Sequence, residues 1–276
     1  MKARIILVPY DSGHFRERMG LGPERIWESG LKELLRQMQT PFEVEQISLE
    51  SGYPTEISAA FQLARQIAER VHEVRSAGAF PIVLSGNCNA AVGTISGCGA
   101  ESTGITWFDA HGEATTPETT RSGFLDGMPI STLLGRAWQT LAKTVPGFST
   151  VPGKRIVLFG ARHFDLGEAE LLDECRVNRV VTLAELNKCL PSLIASVEQI
   201  YLHIDLDVLD PAEAMANQWT PPNGITIQTL LSAVAELREQ TKPVALGIAS
   251  YDPAVDGDGR ALSAALDVVK VLLEKN

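Results

Sequence analysis

Cysteine is scarce: the 276 residues hold four, Cys88, Cys98, Cys175 and Cys189. None has zinc-ribbon spacing, and a chain this long builds its core without covalent staples, so disulfides are not expected. Positive charge is short too. Lys and Arg total 24 against 34 Asp and Glu, giving a net charge of -10 and a pI near 5.1. That balance argues against nucleic acid and against an anionic membrane surface, both of which require a basic excess. No apolar run approaches membrane-spanning length, and Met1-Lys-Ala-Arg leads straight into Ile5-Ile-Leu-Val without a secretory pattern, so cytoplasmic residence is expected. Internal repeats and low-complexity stretches are also lacking. What is present is 45% hydrophobic residues and a mean hydropathy of +0.03. The expectation is one soluble domain spanning 1–276, with a small-molecule partner.

Short apolar runs alternate with helical periodicity along the chain. Ile5–Pro9, Phe42–Leu49, Phe80–Leu84, Gly104–Asp109, Arg155–Gly160, Val180–Leu183, Ile200–Leu206 and Pro243–Ile248 read as strands. Helices are predicted from Pro23 to about Gln37, over Thr55–Ala77, from Asn89 through Gly97, over Pro129–Leu141, from about Gly167, and over Ile227–Gln240 and Ala261–Lys275. This alternation is the pattern of an α/β fold, a mostly parallel sheet covered on both faces. The polar stretch 112–126 is too long for a simple connector and reads as a binding loop.

Chemistry gathers where predicted strands end. Tyr201-Leu-His-Ile-Asp-Leu-Asp-Val-Leu-Asp-Pro211 is a hydrophobic strand that accumulates acids; in extended chain Asp205 and Asp207 share a face, about 7 Å apart. Thr106-Trp-Phe-Asp-Ala-His-Gly-Glu113 repeats the device with Asp109, His111 and Glu113. Asn87-Cys88 and His163-Asp165 follow two further strands, and ligands of open α/β sheets bind beyond the carboxyl ends of strands. Carboxylates with imidazole suit Mn²⁺ or a similar divalent ion, and two such ions about 3.5–4 Å apart activate water for hydrolysis. Taken alone, Asp205 and Asp207 also fit a plain acidic turn, and His163 and His203 read as satisfied core or supporting histidines. Cys88 reads equally as a weak ligand and as a small buried apolar group.

Asp109-Ala-His-Gly-Glu113, His203-Ile-Asp-Leu-Asp-Val-Leu-Asp-Pro211 and Ser85-Gly-Asn-Cys-Asn89 resemble, in order and separation, the three metal motifs of the ureohydrolases: arginase, agmatinase and formiminoglutamase. The likeness runs from Gly20-Leu-Gly-Pro23 to Tyr251-Asp-Pro253. It implies a three-layer α/β/α fold around about eight mostly parallel strands, a homo-oligomer, and a dinuclear Mn²⁺ centre that hydrolyses a guanidino or amidino C–N bond. By position, Asp109 and Asp205 would bridge the metals, His111 and Asp207 would bind one, and Glu113 the other. Thr116-Pro-Glu-Thr-Thr-Arg-Ser-Gly123 resembles the loop that holds a substrate α-carboxylate, with Ser122 and Thr115 at contact positions, and Asp165 matches the acid that meets the α-amino group. An amino-acid-like substrate follows.

Four positions depart from the family pattern. Cys88 replaces a ligand His, Glu113 is one methylene longer than the usual Asp, Asp126 stands where a His shuttles protons, and Ser250 falls where a Glu pairs with the guanidinium. Asp109, Glu113, Asp205 and Asp207 already neutralise two divalent ions, so a Cys88 thiolate adds surplus charge, and one tight Mn²⁺ with a second weak or absent is expected. Asp126 is the candidate proton donor, and Asp252 stands two residues from Ser250, either as a replacement acid or as a plain strand exit. The Asn-Cys, Thr-Pro-Glu-Thr-Thr and His-Ile-Asp-x-Asp-Val-Leu features resemble a Cys-bearing branch that includes an Nω-hydroxyarginine hydrolase. Two other readings stay open: a ureohydrolase-like binding protein without turnover, and a hydrolase of another linear C–N bond such as an amide.

Overall fold

The computed structural model describes residues 2–49 and 55–274. Eight strands form one sheet, every pairing of which is parallel: β1 (Ala3–Val8), β2 (Phe42–Gln46), β3 (Phe80–Ser85), β4 (Thr103–Phe108), β5 (Ile156–Phe159), β6 (Asn178–Val180), β7 (Gln199–Asp205) and β8 (Ala245–Ala249). Their order across the sheet is β2-β1-β3-β8-β7-β4-β5-β6. The interior strands β3, β4, β7 and β8 are buried almost throughout, as sheets covered on both faces require. Edge strand β2 is buried nowhere along its length and leaves Val44 exposed.

Side-chain alternation splits the core into two layers. Ala3, Ile5 and Leu7 of β1 and Leu202 and Ile204 of β7 pack with the helices Leu183–Ile194, Ile227–Thr241 and Arg260–Leu273. Ile6 and Val8 of β1, Trp107 of β4 and Tyr201 of β7 face the helices Glu56–Ser76 and Ala90–Cys98. The expected three-layer α/β/α architecture with eight strands is the one observed.

Several boundaries differ from the sequence reading for local reasons. The helix expected over Pro129–Leu141 is two short pieces, Pro129–Leu133 and Gln139–Ala142, because Gly135 and Trp138 both take left-handed backbone. The strand expected at Val180–Leu183 ends at Val180, since Thr182 and Glu185 form a capping box that starts the next helix. The first helix passes through a π-helical turn, Trp27–Leu31, between Gly22–Ile26 and Lys32–Gln37. A Cβ on Gly30 would meet Leu266 Cδ1 at 2.3 Å, so that turn lies hard against the Arg260–Leu273 helix.

Candidate metal centre

Parallel register fixes what lies at the carboxyl end of the sheet. Trp107 of β4 pairs with His203 of β7, and Asp205 pairs with Ala249 of β8, so Asp109, Asp205 and Ser250 emerge on neighbouring strands. The extended spacing expected for the acid pairs does not persist beyond the strands. β7 ends at Asp205, whose Oδ1 accepts from the Asp207 N–H at 2.8 Å and caps a 3₁₀ turn over Leu206–Val208. β4 ends before Asp109, and Glu113 sits in left-handed backbone at φ 55°. Turns, not alternation, bring the groups together.

They come together in two overlapping sets. Donor atoms of Cys88, Asp109 and Asp205 lie within 4.8 Å of one another, as do those of Asp109, His111 and Asp207. Asp109 is the member common to both. His111 Nδ1 lies 3.4 Å from Asp109 Oδ1 and 3.2 Å from Asp207 Oδ2. Burial alone would lower the imidazole, but Asp207 and then Asp109 outweigh it and push it up to about 12. Asp109 is further held by Trp107 Nε1 at 2.8 Å and the His111 N–H at 2.7 Å, and Asp207 by the Ala110 N–H at 3.2 Å.

Cys88 is buried and donates to Asp205 Oδ2 at 3.0 Å. Burial, then the Asp205 and Asp109 charges, push its thiol far up, so without a cation it stays protonated. Behind it, His203 Nε2 lies 3.1 Å from Sγ and His203 Nδ1 lies 2.9 Å from the Tyr201 hydroxyl. His203, kept out of the ligand set on sequence grounds, is pushed down to about 3 by burial and is neutral. Gly247 makes room for this stack, for a Cβ there would sit 2.1 Å from the Tyr201 hydroxyl.

The donors fit divalent cations. Asp109, Glu113, Asp205 and Asp207 are all buried, and Glu113 Oε2 has no hydrogen-bond partner among the described residues. Burial raises Glu113 and Asp205, and neighbouring carboxylates raise them further. Unpaired buried carboxylates cost several kcal/mol, roughly, whereas oxygen-coordinated cations satisfy them. Manganese suits oxygens and imidazole; the single thiol is the soft exception.

His111, Glu113, Asp205 and Asp207 of the centre line a cavity of about 590 Å³. Thr115, Ser122, Asp126, Asp165 and Ser250 line it, as do Asp11, Arg18, Phe124 and Trp219. Asp126 is buried, its Oδ1 accepting from the Asn89 N–H at 2.9 Å and its Oδ2 from Asn87 Nδ2 at 2.8 Å; burial, the largest influence, holds its carboxyl well above the ordinary range. Thr115 donates its hydroxyl to the Gly127 carbonyl at 2.7 Å and is committed to the loop. Ser122 and Asp165 are exposed at the cavity. Asp252 does not line it: its Oδ1 accepts from the Ala254 N–H at 2.9 Å, the plain strand exit.

Some supporting groups escaped the sequence reading. Arg162 donates to the carbonyls of Asp207, Val208, Leu209, Pro221 and Pro222, which staples the ligand turn from outside. Glu168 accepts from the Ala114 N–H at 2.8 Å and the Asp165 N–H at 2.6 Å, joining two cavity segments. Only Trp107 left a readable signal, two residues before Asp109 on the same strand face.

The Arginase family's sequence profile matches residues 1–274. The chain belongs to the arginase family. This arginase-family chain is 27% identical over 286 residues to an arginase of Bacillus caldovelox, covering 95% of this chain and 94% of that one. It is 31% identical to an arginase of Brevibacillus brevis over 231 residues, 76% of each chain. The crystal structure of arginase from Bacillus subtilis superposes with a TM-score of 0.87 at 26% identity, covering 100% of this chain and 99% of that one. The molecule is therefore a ureohydrolase-type enzyme acting on C–N bonds, and no helix among the described residues is long and apolar enough to cross a membrane.

Proposed function

We propose that this enzyme is a manganese-dependent hydrolase of a guanidino, N-hydroxyguanidino or amidino C–N bond in an amino-acid-like substrate, working in the cytoplasm as a homo-oligomer of one domain per chain. The observation that carries it is the pair of donor sets sharing Asp109, of which His111, Asp205 and Asp207 line the cavity. Asp109, His111 and Asp207 would hold the tighter ion. Asp205, Glu113 and Cys88 would hold a weaker one, because displacing the Cys88 proton adds negative charge to an acidic centre. When bound, the divalent ions supply Lewis acidity that makes a water in the site nucleophilic near neutral pH.

The remaining work falls to the chain itself. Asp126, whose carboxyl burial raises well above the ordinary range, would give its proton to the departing amine. Ser122 and Asp165 meet the α-carboxylate and α-amino ends, and Thr115 contributes by fixing the loop rather than by a free hydroxyl. Ser250 is uncharged where family members place a Glu for the guanidinium, which favours a substrate end less cationic than guanidinium, such as N-hydroxyguanidino.

Purified protein supplied with Mn²⁺ should turn over one member of a panel of four, releasing urea from arginine or agmatine, hydroxyurea from Nω-hydroxyarginine, or formamide from formiminoglutamate. Asp207→Ala should abolish that release and lower bound manganese per chain. Silence across the whole panel, or turnover that survives Asp207→Ala, would sink the assignment.

A further inference from the structure

Seven of the 19 residues that line the cavity are acids, Asp11, Glu113, Asp126, Asp165 and Glu168 among them. Arg18 is the sole lysine or arginine among the described residues that lines it. We propose that Arg18 is the specificity-determining cation of this enzyme, the group that recognises the anionic end of the substrate, a carboxylate.

Its setting is built from several segments. Arg18 Nε lies 2.9 Å from Asp11 Oδ2, off the line of a good hydrogen bond, so the contact is an ion pair made by one edge of the guanidinium. Asp11 is buried, while the Arg18 side chain is 50% exposed; the terminal nitrogens are the part left for a carboxylate to meet in a two-pronged contact. Asp11 Oδ1 accepts from Asn87 Nδ2 at 3.2 Å, and the same amide donates to Asp126 Oδ2 at 2.8 Å. Ser12 donates its N–H to Asn87 Oδ1 at 2.7 Å. Asn87 thus ties the loop that carries Arg18 to the candidate proton donor, so the anion-binding and chemical ends of the cavity are held in one frame.

The loop is clamped from below as well. A Cβ on Gly86 would fall 2.3 Å from the Tyr10 carbonyl oxygen, which means the two backbones touch. Ser12, Arg16 and Arg18 all take left-handed backbone, a conformation that costs non-glycine residues energy and persists where the surroundings enforce it. Two histidines, His111 and His163, line the cavity as well, and His111 is committed to Asp109 and Asp207. Arg18 is the guanidinium to which a carboxylate-bearing substrate can be drawn past the acids.

The inference rests on the amino-acid-like substrate proposed above, and a binding experiment separates the two, since it needs no turnover. Calorimetric titration of the Mn²⁺-loaded protein should show L-ornithine binding at least about 10-fold tighter than its decarboxylated counterpart, 1,4-diaminobutane. In Arg18→Gln the ratio of the two dissociation constants should collapse by about 10–100-fold, the loss typical of a hydrogen bond to a charged group. Equal affinity for the two amines in the unmodified protein overturns the proposal. So does an Arg18→Gln protein that keeps the ratio, or one that weakens both ligands equally, which would make Arg18 a structural residue only. Failure to release urea leaves these readings intact and counts only against the assigned reaction.

Discussion

Trp107 illustrates how a residue outside the ligand set can govern the centre. Its indole N–H donates to Asp109 Oδ2 at 2.8 Å, and Asp109 is the one acid shared by both donor sets. Trp107→Phe keeps the ring but removes the donor, freeing Asp109 to rotate. Groups that orient ligands in this way are worth 10–100-fold in metal affinity, roughly, so manganese titration of Trp107→Phe should show a loss of that order. Unchanged affinity would mean that the Asp109 rotamer is set by packing alone. Asp126 has the opposite character: it hydrogen-bonds to Asn87 and Asn89, on either side of Cys88, and to none of the carboxylate or imidazole ligands. Asp126→Asn should lower kcat by about 10²–10⁴ while KM changes little. The sign with pH follows from its raised carboxyl: the protonated acid is the working form, so activity falls as pH rises through that value. The Asn variant should lose this alkaline limb, and a variant with an intact limb would place the proton donor elsewhere.

At the scale of elements, close contact between two helices holds the Cys88 segment in place. Ala90–Cys98 packs on Glu56–Ser76 through Gly93 and Gly97, where an added Cβ would lie 2.5 Å from the Ala64 and Ala68 carbonyl oxygens respectively. Backbone atoms cannot give way as a flexible side chain would. Gly97→Ala should therefore destabilise the protein by about 1–3 kcal/mol, read from the shift in a urea unfolding midpoint. No shift would show that the helices can separate freely. The interior strands were legible because each is a short apolar run buried almost throughout. Asp109, His111 and Asp207 were legible as a cluster for a weaker reason than the one first offered: strand alternation pointed to them, although turns assemble them. What the sequence concealed is long-range. Nothing in the order of residues says that Arg162 reaches the carbonyls after β7, or that Asp11 and Arg18 fold onto Asn87, because those contacts depend on which strands become neighbours.

Across the whole molecule, negative charge is concentrated rather than spread. The chain carries -10 overall, and Glu113, Asp126 and Asp205 are buried near one point, each with a carboxyl held well above its ordinary value, first by burial. A group raised in the folded state contributes stability that is complete below its unfolded value, here near 4, and is lost as pH rises through the folded one. His111 has the same sign: raised to about 12, it contributes fully below about 6.5 and progressively less above. Among the buried acids of the centre Asp207 is lowered, as are the surface acids Glu43, Glu185, Asp210 and Asp258, and these oppose the trend. Chelated protein should therefore melt at a lower temperature at pH 8 than at pH 5, even though most mildly acidic proteins gain stability over that interval. Manganese reverses the balance, since it binds the deprotonated donors and stabilises only the folded chain, in proportion to its saturation. Thermal melts from pH 5 to pH 8, with chelator and with Mn²⁺, should show a gap between the two series that widens as pH rises. A gap of constant size, or chelated protein that melts at one temperature throughout, would show that the buried acids are neutralised by something other than protons and metal.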